Sequence, residues 1–340
     1  MARALPAGWF VVAQSAYGRI TAGSRIVRGP WRGARLEDVR SLLLFLSRQR
    51  HLRRWMETSS VARRLAARFV AGETLDQALD TGRKLNSEGI QVTFDCLGES
   101  VASLAEAAEA RDVYLRTLAA IRETGIRGNV SLKLTQFGLD FSVAECRANV
   151  ERLVGQAEAA DSFVRVDMES SAYTSRTLDL VRDLHARYQG VGAVIQACLR
   201  RSRGDIEDLC GRGIRVRLCK GAYLEPAAVA FPRKRDVDRN FAELMKLLLD
   251  SGNYPAIATH DEALIEETRG YAASRKIAPD AFEFQMLYGI RRDLQRKLVR
   301  GGYRLRLYVP FGKAWYPYYM RRLAERPANV LFVVRNLFRR

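Results

Sequence analysis

The chain has 340 residues, 48% of them hydrophobic, enough for a sizeable core and too many for wholesale disorder. No apolar run reaches the roughly 18 residues that a bilayer-spanning helix needs. Lys and Arg number 56 against 38 Asp and Glu, a formal charge of +18 that raises nucleic acid or an anionic membrane as a partner. The basic residues are scattered and no nucleic-acid-binding motif lies among them, so no nucleic acid is expected.

The first 36 residues hold six arginines and no acidic side chain, with Trp9, Phe10, Val11 and Val12 among them. The stretch reads as a loosely ordered basic leader, with a membrane-facing arm or a transit-like peptide as alternatives. Its apolar run is too short and interrupted for a secretory signal. From about residue 36 to residue 84 the pattern is helical, with apolar residues three and four apart around 42–46, at 61–70 and after Thr74. Thr74 followed by Gln77 resembles a capping box. Two or three helices are expected here, in a first unit spanning 1–88.

From residue 89 the pattern changes. Short apolar or alternating runs at 91–94, 130–134, 163–168, 191–197, 215–218, 256–259, 282–286 and 304–308 read as strands. Amphipathic stretches at 101–123, 142–160, 174–188, 202–210, 236–250, 262–273, 291–300 and 315–326 follow them as helices. Strand then helix, about eight times, means a parallel sheet. Eight units that close on themselves make an α/β (β/α)8 barrel, for which 89–340 is a suitable length. An open doubly wound sheet competes, but Gly211-Arg-Gly213 precedes a strand instead of following one, so it cannot be a dinucleotide turn. Cys96, Cys146, Cys198, Cys210 and Cys219 stand singly, which argues against a disulfide framework or a zinc site and fits a reducing compartment. His51, His185 and His260 are too few for a histidine-rich metal centre.

A barrel carries its chemistry at the C-terminal ends of its strands. There the sequence sets Asp95, Glu99, Lys133, Gln136, Asp167, Glu169, Gln196, Arg217, Lys220, Thr259, His260 and Gln285. A charge aimed into a barrel mouth needs a partner or a ligand, since leaving it desolvated and unpaired costs on the order of several kcal/mol. After the last strand, a helix carries Arg321, Arg322 and Glu325 within about one turn. Arginine offers a planar fork of donors that clamps a small carboxylate. With Lys133, Arg217 and Lys220, these cations call for a ligand bearing a carboxylate, phosphates or both. Gly221 and Ala222 would let the backbone approach a flat or phosphorylated cofactor. The Arg291-Arg292 doublet opens a helix and reads as a solvated face.

Several segments occur together in a telling order: Phe94-Asp-Cys-Leu-Gly-Glu99, Ser131-Leu-Lys-Leu-Thr-Gln136, Val166-Asp-Met-Glu169, Ile195-Gln-Ala197 and Arg217-Leu-Cys-Lys-Gly-Ala-Tyr223. Ala258-Thr-His260, Phe284-Gln-Met-Leu-Tyr-Gly289, Tyr308-Val-Pro-Phe-Gly312 and Arg321-Arg-Leu-Ala-Glu-Arg326 follow. From about Phe94 to Asn336 the chain resembles the FAD-dependent proline dehydrogenase (proline oxidase) family, in its monofunctional form. The resemblance implies a distorted barrel holding FAD without a covalent link. It implies oxidation of L-proline to Δ1-pyrroline-5-carboxylate, with the electrons passed on to a quinone. Lys133, Arg321 and Arg322 match residues that hold the substrate carboxylate, and Glu325 matches the ion-pair partner of one arginine. Tyr308 matches the aromatic on the proline ring, Leu287 and Tyr223 further pocket walls. Asp167 matches the acidic residue beside substrate and flavin. Met168, Gln196, Arg217, Lys220, Gly221, Ala222, Thr259 and His260 match flavin-contacting positions, Arg217 being the cation placed to stabilise the reduced ring. Cys96 and Cys198 stand where relatives often carry an aromatic and a tyrosine, and read as packing changes.

The resemblance leaves two rivals. Hydroxyproline or another cyclic imino acid is the nearest alternative substrate, disfavoured because the Tyr308 phenol leaves little room for a hydroxyl. A non-catalytic basic barrel binding anionic membrane or nucleic acid is the rival of a different class. Peripheral contact with a membrane is compatible with the enzyme, because a quinone lives in the bilayer. The expected location is the cytoplasm, with peripheral contact at the cytoplasmic face of the inner membrane, and mitochondria as the alternative.

Overall fold

The computed structural model describes residues 49–98 and 101–325, so the leader, the apolar pattern at 42–46 and Glu99 lie outside it. Eight parallel strands form a closed barrel in sequence order. They are β1 (Gln91–Cys96), β2 (Gly128–Leu132), β3 (Val164–Val166), β4 (Val191–Gln196), β5 (Arg215–Cys219), β6 (Ala256–Ala258), β7 (Glu283–Leu287) and β8 (Arg304–Phe311). β8 closes on β1, with Gln91 opposite Arg306 and Thr93 opposite Tyr308. No helix among the described residues is long and apolar enough to cross a membrane.

Among the described residues three helices precede the barrel: α1 (Arg50–Thr58), α2 (Ser60–Ala66) and α3 (Leu75–Ser87). Both halves of the capping box form: the Thr74 hydroxyl accepts from the Gln77 N–H and Gln77 Oε1 accepts from the Thr74 N–H. Around the barrel lie α4 (Leu104–Thr124), α5 (Val143–Ala159), α6 (Thr174–His185), α7 (Ser202–Gly211), α8 (Lys234–Ser251), α9 (Glu262–Ser274) and α10 (Arg292–Arg300). The last helix among the described residues, α11 (Trp315–Glu325), follows β8.

Alternation along the strands divides the molecule into two environments. Val130, Leu132, Val164, Val166, Val216, Leu218, Phe284, Met286, Leu305, Leu307 and Val309 join the apolar core shared with the helices. The intervening positions are polar: Ser131, Arg217, Gln285, Glu283 and Arg306 bond to one another across the barrel, and Arg165 donates to the carbonyls of Ala193 and Arg215. Branched apolar residues commonly fill such an interior. Here an ionic ladder fills much of it.

The distortion lies in two helices. α3 packs its Ala78, Leu79 and Leu85 against β1 and β8, within the barrel's own core. α11 does not take that place. Its Trp315, Tyr316, Tyr319, Met320 and Leu323 form a second apolar cluster with Ala62 and Ala66 of α2, Phe69 and Val70, and with Leu97 and Ile290 just beyond β1 and β7. α11 therefore rests at the strand-end mouth, which is where it brings Arg321 and Arg322.

Strand ends differ from expectation by one to three residues, and two of these differences bear on the site. β2 runs two residues earlier than 130–134, because Lys133 leads into a 3-10 turn, Leu134–Phe137, closed by Gly138 in the left-handed region (φ +91°). β8 runs three residues beyond Tyr308, to Phe311, and the Pro310 carbonyl takes the Ala71 N–H at 2.8 Å.

Candidate active site at the strand ends

The mouth is organised around Asp167, the residue after β3. Its carboxylate accepts from Ser131 Oγ at 2.5 Å, from the Tyr308 hydroxyl at 2.9 Å and from Arg217 Nη2. Lys133 Nζ lies 3.8 Å from it, 3.7 Å from Asp95 Oδ1 and 3.5 Å from the Tyr308 hydroxyl. Burial alone would push the Asp167 pKa up. Arg217, Lys133 and the two hydroxyls outweigh burial and hold it below the ordinary carboxylate range. Burial, then the charges of Asp167 and Asp95, drive the Tyr308 phenol well above its usual range, so it stays a donor. Arg217 also lies 5.4 Å from the centre of the Tyr308 ring and donates to Gln285 Oε1 at 3.1 Å.

Lys133, Asp167, Arg217 and Tyr308, expected from four separate stretches of chain, thus form one bonded cluster. Leu287 ends β7 opposite Tyr308 and donates its N–H to His260 Nε2 at 2.9 Å, which fixes the imidazole against the strand end. Arg321 and Arg322 are half-buried in the last turns of α11, with Arg322 5.0 Å from the Tyr318 ring centre. The side chain of Glu325 lies outside the described residues. Tyr223 stands on the exposed loop after β5, at the rim of the mouth.

The expected cofactor positions trace one arc of the rim, following β3 (Met168), β4 (Gln196), β5 (Arg217, Lys220, Gly221, Ala222) and β6 (Thr259, His260). Gln196 Nε2 donates to the Glu169 carbonyl at 2.8 Å, tying two of these loops together. Gly221 has φ +103°, and a Cβ there would sit 2.3 Å from Cys198 Sγ, so only glycine lets the loop pass. Two cations, a thioether and a bare stretch of backbone suit a flat, anionic cofactor. Lys220 does not wait for it unpaired: Asp238 holds its ammonium at 2.6 Å and Asp261 at 2.8 Å. Burial would lower the Lys220 pKa, and these two carboxylates outweigh that and raise it.

Ser131, Tyr114 and Glu283 were missed in the sequence. Ser131 shares a strand face with Lys133 two residues on, a period-two signal that was available. Tyr114 arrives from α4 and donates to the Ser131 carbonyl at 2.9 Å and to Asp95 Oδ1 at 3.2 Å, and nothing local marks it. A cavity of about 610 Å³ opens at the other end of the barrel, lined in part by Gln91, Arg122, Asn129, Arg215 and Arg306, away from this cluster.

Residues 78–335 match the proline dehydrogenase family. The chain belongs to that family. Proline dehydrogenase 1 of Bacillus subtilis is 41% identical over 302 residues, 89% of this chain and 100% of that one. The proline dehydrogenase of Deinococcus radiodurans is 40% identical over 284 residues, 81% of this chain and 90% of that one. Among solved structures, proline utilization A (PutA) from Bdellovibrio bacteriovorus, inactivated by N-propargylglycine, superposes with a TM-score of 0.73 at 27% identity. That match covers 82% of this chain and 34% of the longer one. The family consists of oxidoreductases acting on proline and is generally flavin-dependent.

Proposed function

We propose that this oxidoreductase takes L-proline to Δ1-pyrroline-5-carboxylate with FAD. The reading rests above all on the convergence of Lys133, Asp167, Arg217 and Tyr308 beneath the helix that carries Arg321 and Arg322. Lys133 and the arginine doublet hold the substrate carboxylate. Tyr308, Leu287 and Tyr223 wall the ring. Met168, Gln196, Lys220, Gly221, Ala222, Thr259 and His260 hold the cofactor, with Arg217 beside its ring. Bound there, FAD would supply the acceptor for the hydride from the ring carbon next to nitrogen, with a quinone-type acceptor as the final destination of the electron pair.

The residues of the chain do the orienting. Clamping the carboxylate fixes the reacting carbon in place, and such positioning can remove on the order of 7–11 kcal/mol from a barrier. Asp167, held ionised, takes no proton near neutral pH. It fixes Arg217, Lys133 and the Tyr308 hydroxyl in one arrangement. Because that hydroxyl is bonded to Asp167, the phenol cannot swing aside for a hydroxylated ring, which favours proline over hydroxyproline.

A quinone-type acceptor lives in the bilayer, so we infer a cytoplasmic protein in peripheral contact with the cytoplasmic face of a membrane. In support, Leu104, Phe141, Val143, Tyr223, Leu224 and Val229 are exposed on the loops and helix starts that follow strands, all on the mouth side. Trp55 and Val61 are exposed on α1 and α2, beside α11, among Arg53, Arg54, Arg63 and Arg64. Apolar side chains ringed by arginine suit an anionic bilayer surface.

The test is an absorption spectrum of the purified protein, taken anaerobically before and after L-proline is added. The proposal expects a yellow protein that bleaches. A colourless preparation that stays inactive after FAD is supplied refutes it.

A further inference from the structure

Glu283 and Gln285 occupy alternate positions of β7 and face the barrel interior together. Glu283 is 2% exposed at the start of the strand. Arg306 Nε donates to its two oxygens at 2.9 and 3.1 Å, and the Tyr254 hydroxyl donates to one of them at 3.2 Å. Burial would raise its pKa, but Arg306, the Gln285 hydrogen bond and Arg165 outweigh burial and hold it below the ordinary carboxylate range. An ionised carboxylate can only accept.

That fixes the Gln285 amide. Its Nε2 donates to Glu283 Oε1 at 2.5 Å, and its Oε1 is left to accept from Arg217 Nη1 at 3.1 Å. A reversed amide would set NH2 against a guanidinium and oxygen against a carboxylate, two repulsions at once. At the other end of the guanidinium, Nη2 donates to Ser131 Oγ at 3.0 Å and to Asp167. Arg217 is 6% exposed and gripped from both sides. From the cavity end of the ladder to the mouth the order is Arg306, Glu283, Gln285, Arg217, Asp167, in which the neutral amide links two ion pairs by hydrogen bonds.

We propose that Gln285 is a positioning residue for the redox site, relaying the polarity of the Arg306–Glu283 pair to Arg217 and so fixing the cation that faces the flavin. This rests on the reading of Arg217 as that cation. Without Gln285, Nη1 loses its acceptor and the guanidinium is held from one side only, by Asp167 and Ser131. The reduced flavin, which gains electron density, then loses a fixed positive neighbour.

The experiment is an anaerobic redox titration of the flavin-loaded full chain, alongside Gln285→Met and Glu283→Gln, with kcat and KM measured on the same samples. Gln285→Met keeps the volume and removes the acceptor, and Glu283→Gln keeps the shape and removes the charge that orients the amide. Gln285→Met is expected to lower the two-electron reduction equilibrium about tenfold, a shift of about 30 mV to more negative potential. kcat should fall by a similar factor with KM for proline within about twofold. Glu283→Gln should shift the potential in the same direction by less, and it carries the test if Gln285→Met does not fold. A potential equal to that of the parent in a folded, flavin-bound variant overturns the inference, even if the melting temperature drops. If the parent itself binds no flavin, or is not bleached by proline, the functional reading fails and this inference falls with it.

Discussion

Asp167→Asn removes a charge while keeping size and shape, so its cost follows from the bonds already described. The carboxylate accepts from Ser131, Tyr308 and Arg217 and faces Lys133 at 3.8 Å. The amide keeps one acceptor, which can serve Arg217 and Ser131. Its NH2 then points at a Tyr308 hydroxyl that can turn and at a Lys133 ammonium that can only donate. Removing one member of a buried ion pair costs about 3–5 kcal/mol. The retained acceptor recovers about 1.5–3 kcal/mol as a hydrogen bond to a charged group. About 2 kcal/mol of destabilisation remains, or about 4–8 °C in Tm at the roughly 2–4 °C per kcal/mol of larger domains. The native pKa of Asp167 lies below its unfolded value near 4. Its contribution is therefore complete above about pH 4 and is lost as the pH falls through the native pKa. Melts of parent and variant at pH 7 and at successively lower pH should show a deficit that closes in acid. A variant as stable as the parent at pH 7, or a deficit that widens in acid, refutes the reasoning.

Tyr308→Ser removes the phenol that walls the ring and its bond to Asp167. kcat/KM for hydroxyproline relative to proline should rise about tenfold or more, and an unchanged ratio would contradict the role given to this ring. Gly221→Ala forces a side chain into a φ +103° backbone and 2.3 Å from Cys198 Sγ. Such strain costs on the order of 1–3 kcal/mol. It should appear as lower flavin content after purification, and full occupancy with unchanged stability would argue against the close passage of this loop. Leu224, 83% exposed beside Tyr223, should contribute to membrane contact. Leu224→Asp should reduce co-sedimentation with anionic vesicles severalfold while leaving turnover with a water-soluble acceptor intact. Equal co-sedimentation would move the contact elsewhere, and a leader-deleted chain run in parallel would show whether the first 36 residues supply it.

The barrel was legible because its strands are buried on both faces and stand out as short apolar runs between amphipathic helices. Their C-terminal ends then named Lys133, Asp167 and Arg217 by position alone. Strand edges were less legible: Lys133 read as part of β2, and only Gly138 turning into the left-handed region shows that the chain has already left the strand. The placement of α3 and α11 was not legible, since an amphipathic pattern gives a helix its apolar face but not the surface it covers. The pairing of Lys220 with Asp238 and Asp261 joins the starts of two helices and has no local signal. Glu283 and Gln285 were readable as neighbours on one strand face. Their orientation of Arg217 depends on Arg306 from the next strand and could not be read from spacing.

The most direct test of the site is a crystal structure of the FAD-loaded protein with an analogue of L-proline whose ring nitrogen is replaced by oxygen, which keeps the carboxylate and gives up no hydride. The account predicts that carboxylate within hydrogen-bonding distance of Lys133, Arg321 and Arg322, with the ring against Tyr308. A carboxylate bound away from Lys133, or an arginine doublet turned out of the mouth, would contradict it.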